Sequence, residues 1–205
     1  MAPKYKLTYF NARGRGEPIR FLFLYGGIEF EDIRIEEEDW WSKVKESTPY
    51  GLLPYIDIDG KRITQAVAIT RYVAKLVGLA GKDDLEDLEI DAVVDTIVDL
   101  IIGVSAYYYE PDEAIKQKKK EIAVKETVPQ FLSKLDARVK ENGGYFVGGK
   151  LTWADVHFAG LHESINFYAE DNVVGKYPHL QAVADKVYAI PAIKAWIAKR
   201  PVTDR

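Results

Sequence analysis

The spacing of apolar residues predicts an α/β segment followed by a helical segment. Residues 4–10 are rich in strand-forming side chains and residues 30–35 alternate between apolar and polar, so both predict strands. Between them, residues 18–25 place apolar side chains on one helical face before Gly26-Gly27 ends the helix. Strand, helix and strand in this order predict a βαβ unit.

The stretch from Thr48 to Gly60 combines a turn with a strand. Pro49 and Pro54 restrict the backbone ahead of the strand, because a strand accepts proline only at its first residue or at an edge. This pattern predicts a cis bond between Leu53 and Pro54. A cis proline beside a strand turns the main-chain N–H and C=O of Leu53 outward, where an extended peptide pairs as an added strand.

A hairpin and a helix start follow the proline turn. Asp59-Gly60 is a hairpin turn signal, and Thr64 is a candidate N-cap for a helix over residues 65–76. The first amides of that helix are expected to hold an anion. The whole stretch therefore predicts a binding site for a small acidic peptide. The same pattern also fits a hairpin and a helix joined by a proline turn that binds nothing.

The order of elements predicts two domains. With a short helix in the segment 36–45, the first part of the chain has the order β-α-β-α-β-β-α, which is thioredoxin-like. We therefore predict a thioredoxin-like α/β domain over residues 1–77, a linker over 78–84 and an all-α domain over 85–205.

The second domain shows helical spacing throughout. Residues 85–109 contain no proline and predict a long, largely buried helix. The next helical segment is expected to be interrupted near Pro129. Thr152 and Asp155 have capping-box spacing, which predicts the start of a core helix over residues 153–169.

Composition and charge exclude several classes of function. The chain has no cysteine, so it carries no disulfide and no Cys-ligated zinc, and any sulfur chemistry must use sulfur from a ligand. The net charge of -4 disfavours nucleic acid, and the basic run from Lys116 to Lys120 predicts a solvated helix face. We find no apolar signal segment and no membrane-length apolar run, so we expect a cytoplasmic protein.

Nearly the whole chain resembles the glutathione transferases. The strand Leu7-Thr8-Tyr9-Phe10, the proline turn and the helical second half carry the likeness, which is closest to the sigma class and its glutathione-dependent prostaglandin D synthases. The resemblance implies that Tyr9 donates a hydrogen bond to the sulfur of glutathione. Such a bond favours the nucleophilic thiolate. From position alone, Tyr9 also fits an aromatic side chain packed at a strand end.

The resemblance implies further glutathione contacts. Arg15 is expected near the sulfur, as a catalytic and electrophile-orienting residue, with Arg13 as a competitor for that role. The other implied glutathione-binding residues are Trp41 (or its neighbour Trp40), Lys45, Gly51, Leu52, Leu53, Pro54, Gln65 and Ala66. The family usually has Gln-Ser where this chain has Gln65-Ala66, so we expect weaker glutathione binding.

Asp91, Asp95 and Asp99 lie on one face of the long predicted helix. Spacing alone indicates a solvated face. The resemblance implies instead that Asp99 crosses a homodimer interface to reach glutathione bound by the partner subunit. Some prostaglandin synthases of the class hold a divalent metal with aspartates here, but Val98 replaces one of them, so no metal is predicted.

Aromatic side chains are the candidate walls of an electrophile pocket. We assign Phe10, Arg15, Tyr107, Tyr108 and Tyr109 to it, with ordinary helix packing as the alternative for the tyrosines. The three histidines, at 157, 162 and 179, show no metal-ligand spacing and are interpreted as structural.

These patterns predict an enzyme that activates the thiol of glutathione for attack on electrophiles or peroxides. Two alternatives stay open. One is glutathione-dependent isomerisation of a prostaglandin endoperoxide, and the other is a non-catalytic relative such as a lens crystallin or a ligand carrier.

Overall fold

The computed structural model describes residues 3–203 and contains a four-stranded mixed sheet. Its strands are β1 (Tyr5–Phe10), β2 (Phe30–Ile35), β3 (Tyr55–Ile58) and β4 (Lys61–Thr64), in the spatial order β2-β1-β3-β4. β1 is parallel to β2 and antiparallel to β3, and β3 is antiparallel to β4. Residues 1–2 and 204–205, the outer ends of the two predicted domains, lie outside the described residues.

Helices pack on this sheet and continue beyond it. They are α1 (Glu17–Tyr25), the short α2 (Glu37–Asp39), α3 (Ala66–Leu76), α4 (Asp84–Ser105), α5 (Glu113–Ile122), α6 (Val128–Glu141), α7 (Trp153–Ala169), α8 (Pro178–Tyr188) and α9 (Pro191–Lys199). A wide π turn, Trp40–Val44, and a 3-10 turn, Lys45–Ser47, follow α2. The predicted order β-α-β-α-β-β-α, followed by an all-helical second half, is confirmed.

Two predicted boundaries are corrected. Thr64 ends β4, so Gln65 and not Thr64 is the N-cap of α3. The long helix ends at Ser105 instead of continuing to Tyr109. The predicted interruption near Pro129, by contrast, is present: the π turn Ala123–Thr127 separates α5 from α6, and Pro129 lies in the first turn of α6, where its missing N–H costs no helical hydrogen bond.

α7 is the central helix of the second half, and its start is fixed by buried polar contacts. The predicted capping box between Thr152 and Asp155 is present, and the Asp155 carboxylate also accepts the N–H of Phe146 at 3.0 Å. Asp155 is fully buried. Desolvation raises its pKa to about 6, although hydrogen bonds from Thr152 and Phe146 oppose the shift.

The two halves of the chain meet along α1 and α7. Gly160 of α7 lies against Pro18 of α1 so closely that an added Cβ atom would lie 2.7 Å from the Pro18 nitrogen. In the segment that joins the halves, Leu79 is buried, and its carbonyl accepts the N–H of Trp153 at 3.0 Å. The first helix of the sheet layer is therefore held directly against the central helix of the second half.

Over residues 3–203, the structure contains no helix with the length and apolar character needed to cross a bilayer.

Candidate active site

Two adjoining cavities, of about 250 and 220 Å³, lie between the end of β1 and the helices of the second half. Both are lined by Tyr9, Phe10, Gly14, Tyr109 and Tyr168. The first extends toward the turn that carries Trp40 and Trp41, and the second toward Arg15 and Leu53. Aromatic walls combined with polar groups, here including Arg15 and Ser164, are typical of small-molecule sites.

Tyr9 has a hydroxyl whose acceptor side is already used. Its Oη accepts the backbone N–H of Arg15 at 3.2 Å. A phenol has one hydrogen to donate, so that hydrogen is left for a ligand. Burial raises the pKa of Tyr9, although the Arg15 N–H and nearby cationic groups oppose the shift. The phenol is therefore a neutral donor at neutral pH.

The loop after β1 packs tightly on the Tyr9 ring through its glycines. An added Cβ would lie 2.8 Å from Tyr9 Oη at Gly14 and 2.7 Å from a ring carbon at Gly16. Gly14 also has a φ of +37°, in the region that favours glycine. Side chains at these two positions would displace the ring, so this loop and Tyr9 form one rigid unit.

The structure separates the two candidate arginines. Arg13 pairs with Glu163 of α7, with Nε to Oε2 at 3.2 Å. Arg15 is exposed and lines the second cavity. Of the two, Arg15 therefore presents its charge to the site.

Trp40 and Trp41 also differ. Trp40 is buried and packs edge-on against Phe10, at 5.8 Å between ring centroids. Trp41 is 63% exposed, and the ammonium of Lys45 lies 4.3 Å from its ring centroid. The Lys45 side chain in turn lies beside Gly51. Trp41, which lines the first cavity, therefore forms one cluster with Lys45 and Gly51.

The predicted cis bond between Leu53 and Pro54 is present. Leu53 lines the second cavity, Leu52 beside it is exposed, and Pro54 is buried against the start of β3. Within residues 3–203, no hydrogen bond engages the main-chain N–H or C=O of Leu53. Both groups are available to an extended peptide.

The start of α3 is uncapped. The first helical hydrogen bond runs from Ile69 N–H to the Gln65 carbonyl at 3.0 Å, and no side chain caps the end. Gln65 is exposed and has a φ of +81°, a conformation that is costly for a residue with a side chain. Ala66, the first helical residue, is 9% exposed. The first amides of a helix have no helical acceptor, so this end of α3 has the positive dipole character that favours an anion.

The three tyrosines after α4 occupy different environments. Tyr109 lines both cavities. Tyr107 is buried, with its hydroxyl 2.7 Å from the Tyr168 carbonyl oxygen, so the structure places it outside the cavity wall. Tyr108 is half-exposed and packs on the Tyr109, Tyr168 and Phe167 rings. The assignment of Tyr107 and Tyr108 to the electrophile pocket is therefore corrected, since neither lines these two cavities. The reason is the turn after Ser105, which directs successive side chains apart.

The aspartate row of α4 is not uniform. Asp91 pairs with Arg71 of α3 at 2.8 Å, whereas Asp95 and Asp99 are exposed. The described part of the chain shows no group of three or more acidic, His or Cys side chains arranged to hold a metal. Asp99 lies near exposed Ile102 on a helix that also exposes Leu85 and Leu88.

Two of the histidines are buried in α7. His157 has neither ring nitrogen hydrogen-bonded within residues 3–203, and burial lowers its pKa to about 3. The Nδ1 atom of His162 lies 3.3 Å from the Tyr188 hydroxyl. His157 is therefore a neutral core residue at neutral pH.

Sequence reasoning missed two residues that line both cavities, Gly14 and Tyr168. Gly14 belongs to the Gly14-Arg15-Gly16 repeat, which is the sequence signal for a close backbone approach. Tyr168 belongs to an aromatic pair near the end of α7, and nothing in its spacing indicates which cavity it faces.

Comparison with known proteins identifies the family. The models of the glutathione S-transferase N-terminal and C-terminal domains match residues 5–75 and 98–200. A glutathione S-transferase of Anopheles gambiae is 46% identical, covering 98% of this chain and 99% of its own. The hematopoietic prostaglandin D synthase of Gallus gallus is 42% identical, covering 98% of both chains.

A solved structure supports the same assignment. The prostaglandin synthase D of Nilaparvata lugens superposes with a TM-score of 0.93 at 46% identity, covering 98% of this chain and 100% of that one. Fold, family models and sequence identity agree over nearly the whole length. The chain belongs to the glutathione S-transferase family.

Proposed function

We propose that Tyr9 activates the thiol of glutathione, and that the thiolate attacks electrophilic carbon or peroxide substrates in the cavities beside α7. The observation that carries this proposal is the hydrogen bond from Arg15 N–H to Tyr9 Oη. That bond fixes the phenol and leaves its hydrogen for the sulfur. The thiol proton goes to solvent. At carbon, the sulfur forms a bond while the leaving group departs with its electron pair. At a peroxide, the sulfur bonds to the terminal oxygen as the O–O bond breaks, the released alkoxide takes a proton from solvent, and a second glutathione thiol converts the sulfenic acid to the disulfide and water.

Tyr9 acts as a donor and not as a base. Burial raises its pKa, so the phenol keeps its proton at neutral pH. A hydrogen bond donated to the thiolate stabilises the charged form of the thiol and lowers the thiol pKa. The nucleophile therefore becomes available near neutral pH. The exposed guanidinium of Arg15 adds a positive charge at the cavity, which favours the thiolate and orients the electrophile.

Glutathione is held by three groups of contacts. The free main-chain groups of Leu53, between Leu52 and the cis-linked Pro54, pair with the cysteinyl unit. The uncapped start of α3, with Gln65 and Ala66, receives the γ-glutamyl carboxylate. Trp41, Lys45 and Gly51 hold the glycine end, where the ammonium lies beside the exposed ring.

Replacing Tyr9 by phenylalanine tests the proposal. Tyr9→Phe removes the donor to sulfur and is expected to lower kcat by roughly 100- to 1000-fold, by analogy with the loss of one oriented oxyanion donor. Glutathione binding should remain. The matched control is Tyr5→Phe on the same strand, whose hydroxyl lies near Tyr72 and away from the cavity. Full turnover in Tyr9→Phe, with the bound thiol still ionised at neutral pH, would contradict the assignment.

A second candidate is glutathione-dependent isomerisation of a prostaglandin endoperoxide. It is favoured by the relatives and the solved structure named as prostaglandin D synthases. The same activated thiolate would serve both reactions. Product analysis after incubation with the endoperoxide, beside conjugation of an aromatic halide, distinguishes them. Conjugation without the isomerised product would exclude the isomerase.

The finer assignments are a sigma-class, cytoplasmic, homodimeric enzyme of detoxification. Membership of the sigma class is supported by the identity to the prostaglandin D synthases. Ile102, exposed beside Asp99, together with Leu85 and Leu88, exposed near the start of α4, supports the homodimer, because a stable interface covers such surface. Subcellular fractionation tests the location.

A further inference from the structure

A buried network of charged side chains connects α9 to the loop that holds Tyr9. Its hub is Glu17, which is 1% exposed at the start of α1. The Oε1 atom of Glu17 accepts Trp196 Nε1–H at 2.8 Å and Arg200 Nη1–H at 2.8 Å, while Oε2 accepts from Arg20 at 3.0 Å. The side chain of Arg200 is only 9% exposed.

The network reaches the active-site loop by two routes. In the first, the Arg20 guanidinium donates to the Ala12 carbonyl at 2.8 Å and is itself held by Glu17. In the second, Arg200 donates to Glu163 of α7, which also pairs with Arg13. Ala12 and Arg13 lie in the loop between β1 and α1, so Arg200 is linked to that loop through both of its carboxylate partners.

The loop transmits its position directly to the catalytic hydroxyl. Arg15 N–H donates to Tyr9 Oη, and the backbones of Gly14 and Gly16 lie against the ring with no room for a Cβ atom. A displacement of the loop by a few tenths of an ångström therefore moves or releases the phenol. The strength of a hydrogen bond falls steeply as its geometry worsens.

We infer that Arg200 is a positioning residue for the transferase reaction, acting through Glu17 and Glu163 to hold the loop that orients the Tyr9 hydroxyl. This inference rests on the proposed role of Tyr9. Arg200 touches neither the cavities nor the residues assigned to glutathione, so its effect is on thiol ionisation and not on the contacts that hold glutathione.

The experiment measures the pKa of the glutathione thiol bound to the protein, by ultraviolet titration of the thiolate, in Arg200→Met. We expect the thiol pKa to rise by about 0.5 to 1, part of what a full charge-assisted hydrogen bond contributes. At pH below the thiol pKa, the kcat/KM for the electrophile, measured with saturating glutathione, should fall about three- to tenfold. In alkali it should converge with the value of the parent protein. The KM for glutathione should stay unchanged when it is measured at pH below the thiol pKa, where the thiol binds in its neutral form. In Arg200→Lys the thiol pKa should lie between those of the parent protein and of Arg200→Met. The lysine keeps a positive charge, but one ammonium cannot bridge two carboxylates as a guanidinium does.

The matched control is Arg138→Met. Arg138 donates to the Phe146 carbonyl and pairs with Glu89, away from the cavities, so its loss should lower the melting temperature without moving the thiol pKa. An unchanged thiol pKa in folded Arg200→Met, with only a lower melting temperature, would overturn the inference. If that variant does not fold, Trp196→Phe removes one donor to Glu17 and must raise the thiol pKa in the same direction, or the inference is equally overturned. The same titration of Tyr9→Phe separates the role of Tyr9 from that of Arg200. If the thiol pKa rises in Tyr9→Phe but not in Arg200→Met, the role of Tyr9 stands and the inference about Arg200 is overturned.

Discussion

Ala66→Ser is predicted to tighten glutathione binding. Ala66 is the first residue of α3, at a helix start that no side chain caps and behind a strained Gln65. The backbone amides there already favour a carboxylate through hydrogen bonding and the helix dipole. A serine hydroxyl would add one donor to the charged γ-glutamyl carboxylate.

The size of the effect follows from burial. A hydrogen bond to a charged group is worth roughly 1.5 to 3 kcal/mol, which corresponds to about a tenfold to hundredfold lower Kd. Because Ala66 is only 9% exposed, the added hydroxyl is poorly hydrated in the free protein. We therefore expect the free variant to be no more stable than the parent, and the gain to arise on binding.

Calorimetric titration and thermal unfolding provide the assay. A tenfold lower Kd adds about 1.4 kcal/mol of ligand stabilisation at saturating glutathione. For a chain of 205 residues that is an extra increase of about 3 to 5 °C in melting temperature. In steady-state kinetics the KM for glutathione should fall with kcat unchanged, because the contact is equal in ground and transition states.

Ala68→Ser is the matched control. Ala68 is exposed and lies about 200° around the helix axis from Ala66, so its hydroxyl faces away from the anion site. Equal or weaker glutathione affinity in Ala66→Ser would refute the reasoning. An equal gain in both variants would show that serine acts on the helix and not on the carboxylate.

Three further predictions concern assembly and stability. The protein is expected to sediment as a dimer at micromolar concentration. Asp99→Ala is expected to weaken glutathione binding, because Asp99 of one subunit would contact glutathione bound by the other. A monomer whose glutathione affinity is unaltered by Asp99→Ala would contradict this contact. Burial lowers the pKa of His157 to about 3, so as the pH falls the unfolded state binds a proton on this histidine before the folded state does. The contribution of His157 to the free energy of unfolding is therefore complete above pH about 6.5. It is lost by up to about 1.4 kcal/mol per pH unit as the pH falls toward 3. His157→Phe should flatten that part of the acid-stability curve in chemical denaturation, and an unaltered slope would contradict the buried, neutral state. Asp155→Ala should lower the free energy of unfolding by roughly 2 to 4 kcal/mol, since it leaves the N–H groups of Phe146 and Thr152 unpaired. A loss under about 1 kcal/mol would show that water replaces the carboxylate.

Local signals account for what the sequence predicted well. The capping box at Thr152 predicted the start of α7, and the paired prolines predicted the cis bond at Pro54, because both depend on residues close together in the chain. The resemblance brought Tyr9 and Leu53 to one site, and both line the same cavity.

The rest depended on tertiary structure. Residue spacing could not show that Tyr109 faces the cavity while the Tyr107 hydroxyl donates a hydrogen bond to the end of α7. The direction of each side chain is set by the turn after α4. It could not separate Arg13 from Arg15 either, since the deciding partner, Glu163, lies far along the chain. The positive φ of Gln65 has no signal in its residue type.

The contact between Gly160 and Pro18 determines how the protein comes apart. Two halves joined by a short connector are usually free to move and to unfold separately. Here backbone meets backbone between α1 and α7, and Leu79 of the connector is itself buried, so neither half can melt without exposing the apolar face of the other. Calorimetry should therefore record one cooperative transition, and proteolytic cleavage near residue 80 should require global unfolding and not local fraying.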